Sequence, residues 1–194
     1  MSESKTIIDP KHSILLVMDY QPGILSRLPN SGELVSNMAG IIKTARAKNI
    51  PIGYVRVAFV DSDYSAIPKN NLRFKEMADK KMMHADSLET AIHDDLAPQK
   101  GDIIVRKTRV GAFSTTDLGK QLKDRQIDTI ILAGISTSGV VLSTVRDASD
   151  HDYRIFVLED GVADTDVDVH KILLDKVLPR QATIISSSEL FSQL

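Results

Sequence analysis

Ile130-Ile131-Leu132-Ala133-Gly134-Ile135-Ser136-Thr137-Ser138-Gly139-Val140-Val141 decides how this chain is read. An aliphatic run runs through glycine into a small, hydroxyl-rich turn and then into a helical pattern. A strand of uninterrupted aliphatics is buried on both faces, which is the signature of a parallel sheet covered by helices. Backbone amides at the start of the helix that follows can form an anion or oxyanion site. Ordinary strand-to-helix punctuation would use the same residues, so this segment alone settles only the architecture.

The same alternation continues in both directions. Ser13 to Asp19 reads as a buried strand ending in a carboxylate, and Gly32 to Lys48 as a helix broken by Asn49-Ile50-Pro51. Ile52 to Val57, Asp102 to Arg106, Thr129 to Ala133, Tyr153 to Leu158 and Ala182 to Ile185 read as further strands. Helical patterns lie at Thr115–Leu118 onward, Gly139–His151, Val167–Val177 (stopped by Pro179) and Ser188–Phe191. Ala58 to about Asp86 is long and weakly patterned, which predicts a functional loop or lid. Six strands alternating with helices predict one α/β domain over residues 1–194. Its expected form is a Rossmann-like, doubly wound, six-stranded, mainly parallel sheet with helices on both faces.

Composition narrows the function. The chain has 194 residues, 42% hydrophobic and 26% charged, with a formal net charge of -2. That balance fits a globular domain and gives no basic stripe for nucleic acid. No apolar run is long enough to span a bilayer. Met1 to Pro10 is polar and lacks a signal-peptide core, so a cytoplasmic location is expected. There is no cysteine, which excludes disulfides, thiolate metal sites and thiol catalysis. His12, His84, His93, His151 and His170 are scattered without ligand spacing, so neither a metal nor a cofactor is expected.

Ligands in such sheets bind at the carboxyl ends of strands, and three strand ends carry chemistry. Asp19 follows Leu16-Val17-Met18, where burial would suit a carboxyl to general acid or base work; an Asp before Pro22-Gly23 also simply makes a good turn. Lys107 ends Ile103-Ile104-Val105-Arg106, where it could hold a substrate carboxylate or tune a neighbour, or simply be solvated. The Ser136–Val140 turn is the third.

Together these segments resemble the isochorismatase-like hydrolases, also called the cysteine hydrolase superfamily. The chain supplies Asp19-Tyr20-Gln21, and Lys107 followed by Gly111-Ala112-Phe113-Ser114-Thr115-Thr116-Asp117-Leu118. It also supplies Gly134-Ile135-Ser136-Thr137-Ser138-Gly139-Val140-Val141-Leu142-Ser143-Thr144-Val145-Arg146-Asp147-Ala148, and later an acidic turn through Asp164. The resemblance implies that Asp19 is the general acid/base and Lys107 its charged partner. It implies a non-proline cis peptide at Ile135–Ser136, with Ile135, Ser136, Thr137, Ser138 and Gly139 forming the oxyanion turn. Gln21, Phe113 and Arg109 are the candidate substrate-binding residues. It further implies a small-molecule substrate and a homodimer or homotetramer, with Ala58–Asp86 and Val141–Tyr153 as candidate contacts.

Val140 stands where the family's nucleophilic cysteine belongs, and valine forms no covalent intermediate. Amidase chemistry through a thioester is therefore not expected. Isochorismatases proper also lack the cysteine; they protonate a vinyl ether, and water adds to the oxocarbenium ion. They carry Tyr-Ala-His where Ser136-Thr137-Ser138 stands here. A serine nucleophile at Ser136 or Ser138 has no histidine base beside it in sequence. The expectation is a hydrolase of a small, anionic molecule that uses Asp19. The alternatives are a binding protein that has lost the reaction, and a structural subunit.

Overall fold

A computed structural model describes residues 8–194. Most of the polar Met1–Pro10 segment, and the expectation attached to it, lies outside them. The strands are β1 (Ser13–Met18), β2 (Ile52–Val57), β3 (Ile103–Lys107), β4 (Thr129–Ile135), β5 (Arg154–Ala163) and β6 (Thr183–Ile185). They form one sheet in the order β3-β2-β1-β4-β5-β6, and every neighbouring pair is parallel. The sheet is thus wholly parallel rather than mainly so. The chain starts at the centre, winds to one edge, then returns to the other side of β1. The crevice where the order reverses, between β1 and β4, is where such sheets place their ligands.

Period-two alternation puts each central strand into two cores. Leu15 and Val17 of β1 face α2 (Ser31–Ala47) and α8 (Ser187–Ser192), joining Val35, Met38, Ile41, Leu190 and Phe191. Ile14, Leu16 and Met18 face the opposite way, onto Leu118 and Leu122 of α5 (Leu118–Asp124) and Val145 and Ala148 of α6 (Leu142–Asp150). Gly53 lets this packing close in, since a Cβ there would lie 2.6 Å from Leu16 Cδ2 and push that side chain aside.

Three departures from the sequence reading bear on the site. The 58–86 stretch is not a bare loop. It holds α3 (Asp61–Ser65) and α4 (Leu72–Asp79), which follow the short α1 (Pro22–Leu25) in chain order. These bury a separate apolar cluster of Phe59, Tyr64, Phe74 and Met83, with Phe59 and Tyr64 stacked at 5.5 Å. Helices of five and eight residues are too short to display a clear 3.6-residue period among their many charges.

Second, the helix read from Gly139 begins earlier. Thr137–Val141 forms a π-helical turn that runs into α6. Third, β5 continues past Leu158 to Ala163. Its pairing with β4 jumps from Leu132↔Val157 to Gly134↔Val162, a bulge in β5. Such an insertion re-aims the residues beyond it, and it sets Ala163 beside Ile135 with Asp164 at the mouth of the sheet. The helix read over Val167–Val177 is α-helical as α7 (Val167–Ile172), then continues as a π-helical turn, Leu173–Val177. Pro179 lies in the final 3-10 turn, Leu178–Arg180.

Candidate active site

Asp19 leaves β1 in the left-handed region, with φ of 57°, a conformation that Asp tolerates better than most side chains. Its amide donates to Val55 O at 2.8 Å, and its carbonyl accepts from the Gln21 amide at 2.8 Å. The backbone is therefore pinned on both sides, and the carboxyl sits buried at the strand ends.

Lys107 ends β3, two strands away, and its stem is buried across the end of β2. Its Nζ lies 2.8 Å from Asp19 Oδ2. It also donates to Val110 O at 2.9 Å and Arg109 O at 3.2 Å. An ammonium has three donors, and all three are satisfied by the protein. Lys107 thus acts on Asp19 and has no N–H left over for a substrate.

Asp19 Oδ1 is different: it is buried and, among the described residues, has no hydrogen-bond partner. Burial pushes the Asp19 carboxyl above its usual 3.8, outweighing the charge and hydrogen bond of Lys107 and the nearby Val57 amide, which pull it down. Burial thus eases proton uptake by the carboxyl, and Oδ2 already faces the ammonium. A proton on Asp19 therefore belongs on Oδ1.

Both residues line a cavity of about 300 Å³. Val140, buried, faces the same space, as do Ile135, Ser136, Ser138 and Gly139. The Ile135–Ser136 peptide is cis. An apolar wall comes from Ile24, Phe74, Met77 and Met83, and three arginines also line the space, Arg27, Arg73 and Arg109. Arg109 lies 5.4 Å over the Phe74 ring and donates to Thr108 O at 2.6 Å.

The turn amides are already partly used. Ser138 N–H donates to Asp164 Oδ2 at 2.7 Å, and Gly139 N–H to Ser136 O at 3.1 Å.

Three candidates from the sequence lie outside the cavity. Gln21 is fully buried and structural: its Nε2 donates to Val57 O at 2.9 Å and Thr90 O at 2.8 Å, and its Oε1 accepts from Val57 N at 2.9 Å. It ties the loop after α4 to the end of β2. Phe113 stacks on His151 at 5.6 Å and Tyr153 at 6.0 Å, away from the site. Thr137 is buried, with its hydroxyl 2.8 Å from His170 Nδ1.

The cavity residues that the sequence reading did not single out are Arg27, Arg73, Asp164 and the apolar wall. Asp164 closes the acidic turn quoted with the family motifs but was given no role there; Arg27 and the others belong to no motif, and Arg73, Phe74, Met77 and Met83 sit in the stretch read as a loop. Among the described residues no cluster of three His or acidic side chains is arranged to hold a metal, and no helix is long and apolar enough to cross a membrane.

Comparison with known proteins shows the family. The isochorismatase domain pattern matches residues 13–189. The chain is 32% identical over 187 residues to the uncharacterized isochorismatase family protein YwoC of Bacillus subtilis, covering 96% of each. It is 30% identical over 186 residues to the phenazine biosynthesis protein PhzD of Pseudomonas fluorescens, covering 94% of this chain and 86% of that one. A cysteine hydrolase from Pseudomonas syringae superposes over 100% of this chain and 98% of its own with a TM-score of 0.86, at 23% identity. The chain belongs to the isochorismatase family of hydrolases, as a member with no cysteine.

Proposed function

We propose that the protein hydrolyses a small anionic molecule by acid catalysis from Asp19, without a covalent intermediate. The observation that carries this reading is the buried, unpartnered Oδ1 of Asp19, on a residue that lines one cavity with three arginines. Burial raises the carboxyl toward its acid form, Lys107 holds Oδ2, and Oδ1 delivers the proton. Val140 supplies no nucleophile, so water completes the reaction. A vinyl ether bearing carboxylates suits these demands: protonation of its terminal carbon gives an oxocarbenium ion, to which water adds. Arg27, Arg73 and Arg109 supply positive charge for the carboxylates.

The test is Asp19→Asn assayed on isochorismate, a carboxylated vinyl ether. Turnover is expected to fall by about 100-fold or more, with substrate binding retained in calorimetry. In the parent protein the rate is expected to decline as pH rises through the elevated Asp19 value, because the acid form is then lost. Full activity in the Asn variant refutes the assignment.

A second reading, a binding protein without turnover, is favoured by Val140 and by the Ser138 amide already held by Asp164. It predicts ligand affinity in both proteins and hydrolysis in neither. The working form is taken to be a homodimer or homotetramer, which sedimentation at micromolar concentration tests.

A further inference from the structure

The cavity holds a second carboxylate that the acid-catalysed scheme leaves unused. Asp19 ends β1 and Asp164 follows β5, and β4 runs between them. Adjacent strands lie about 4.8 Å apart, so the two backbones flank the β4 turn from opposite sides. Val140 and Ser136 lie on that turn and line the same cavity. A substrate atom over Val140 would have one acid on either side.

The two carboxyls are held differently. Asp164 Oδ2 is fixed by the Ser138 amide at 2.7 Å, while the Asp166 amide lies a long 3.4 Å from Oδ1. Oδ1 therefore keeps lone pairs for a water. Burial raises the Asp164 carboxyl, but hydrogen bonds from Ser138 and from the Asp166 and Thr165 amides outweigh it and hold it below 3.8. Asp19 is pushed the opposite way. Pairs of carboxyls driven apart in this manner divide into acid and base.

We infer that Asp164 is the general base of this site, activating the water that adds from the side opposite Asp19. The assignment rests on the vinyl-ether reading above. Asp19 Oδ1 gives its proton to the terminal vinyl carbon, and the ether carbon becomes an oxocarbenium ion. A water oxygen bonds to that carbon as Asp164 takes the water's proton. The resulting hemiketal collapses: Asp164 returns the proton to the ether oxygen, the carbon–oxygen bond breaks, and the hemiketal hydroxyl gives its proton to Asp19. Both carboxyls end as they began.

The test is Asp164→Asn with isochorismate in deuterium oxide. Asparagine still offers an oxygen to the Ser138 amide, so folding is checked by melting and circular dichroism. The expected result is a kcat lower by about 100-fold with KM changed by less than about threefold. The vinyl methylene should still exchange with deuterium, since Asp19 protonates reversibly while water addition stalls. Asp19→Asn should lose exchange and hydrolysis together. Asp164→Ala, with the carboxylate removed, should regain rate when formate is added.

If Asp164→Asn hydrolyses within about threefold of the parent rate, or if folded Asp164→Asn loses exchange as well as turnover, Asp164 is not the base. Failure of formate to restore Asp164→Ala counts the same way. If the parent protein neither hydrolyses nor exchanges isochorismate, the vinyl-ether reading itself falls, and this assignment falls with it.

Discussion

Replacing Lys107 by methionine removes the cation but keeps most of the stem volume. The structure allows the cost to be worked out. Asp19 Oδ2 loses its partner at 2.8 Å, and the carbonyls of Arg109 and Val110 lose their donor, all in a buried setting. Removing one partner of a buried ion pair costs about 3–5 kcal/mol. Asp19 limits this by taking up a proton. Protonating an ordinary carboxyl of pKa 3.8 at neutral pH costs about 4 kcal/mol, at about 1.4 kcal/mol per pH unit.

A loss of about 3–4 kcal/mol is therefore expected near neutral pH. With a urea slope of about 3 kcal/mol/M, the unfolding midpoint should fall by about 1 M.

The sign with pH follows from linkage. The folded carboxyl of Asp19 already lies above its unfolded value, so it binds protons better when folded. Its stabilising contribution is complete below the unfolded value and is lost as pH rises through the folded one. Without Lys107 the folded value rises further, so the variant's deficit should grow with pH by up to about 1.4 kcal/mol per unit and shrink toward about pH 4. Urea titrations at several pH values measure it directly. Adding Asp19→Asn to the Lys107→Met protein should recover much of the loss at neutral pH. A deficit that does not change with pH, or one below about 1 kcal/mol, would show that the pair is not electrostatically coupled as the geometry requires.

Two further substitutions probe the site and its support. Val140→Cys would be the only thiol in the chain; it should fold with a loss under about 1.5 kcal/mol and take up one equivalent of iodoacetamide in the native state, whereas an inert thiol would mean that residue 140 does not face the cavity. Gln21→Met should cost about 2–4 kcal/mol in denaturant unfolding, because it strands the Val57 amide and takes a donor from the Val57 and Thr90 carbonyls, of which Thr90 keeps only Arg56 at 3.1 Å; a selective rise in KM with unchanged stability would instead return Gln21 to the substrate.

Much of the fold was readable from local pattern. β2 matched its predicted bounds, and the other strands differed by a few residues at their ends. Burial on both faces leaves a strand as an aliphatic run whatever its neighbours are. The long α2 was equally clear, since seventeen residues repeat the helical period several times. α3 and α4 were missed for the opposite reason. The bulge in β5 was invisible because Glu159-Asp160-Gly161 reads as a turn, and only pairing to β4 makes it strand.

Within the site, Asp19, Lys107 and Val140 were found because each sits at a strand end in a recognisable order. Gln21, Phe113 and Thr137 share those motifs but point elsewhere, since a motif records chain order and not side-chain direction.

Taken alone, the chain determined its parallel α/β architecture, the absence of any thiol chemistry and the three strand ends worth testing. These depend on residue type and on period, which are local. Only the tertiary structure decided that Lys107 is saturated by protein acceptors, that Oδ1 of Asp19 is the free oxygen, and that Arg27, Arg73 and Asp164 share its cavity. Those facts arise from strand order, crossovers and a bulge that bring together groups up to 145 positions apart (Asp19 to Asp164), and no local period encodes such convergence.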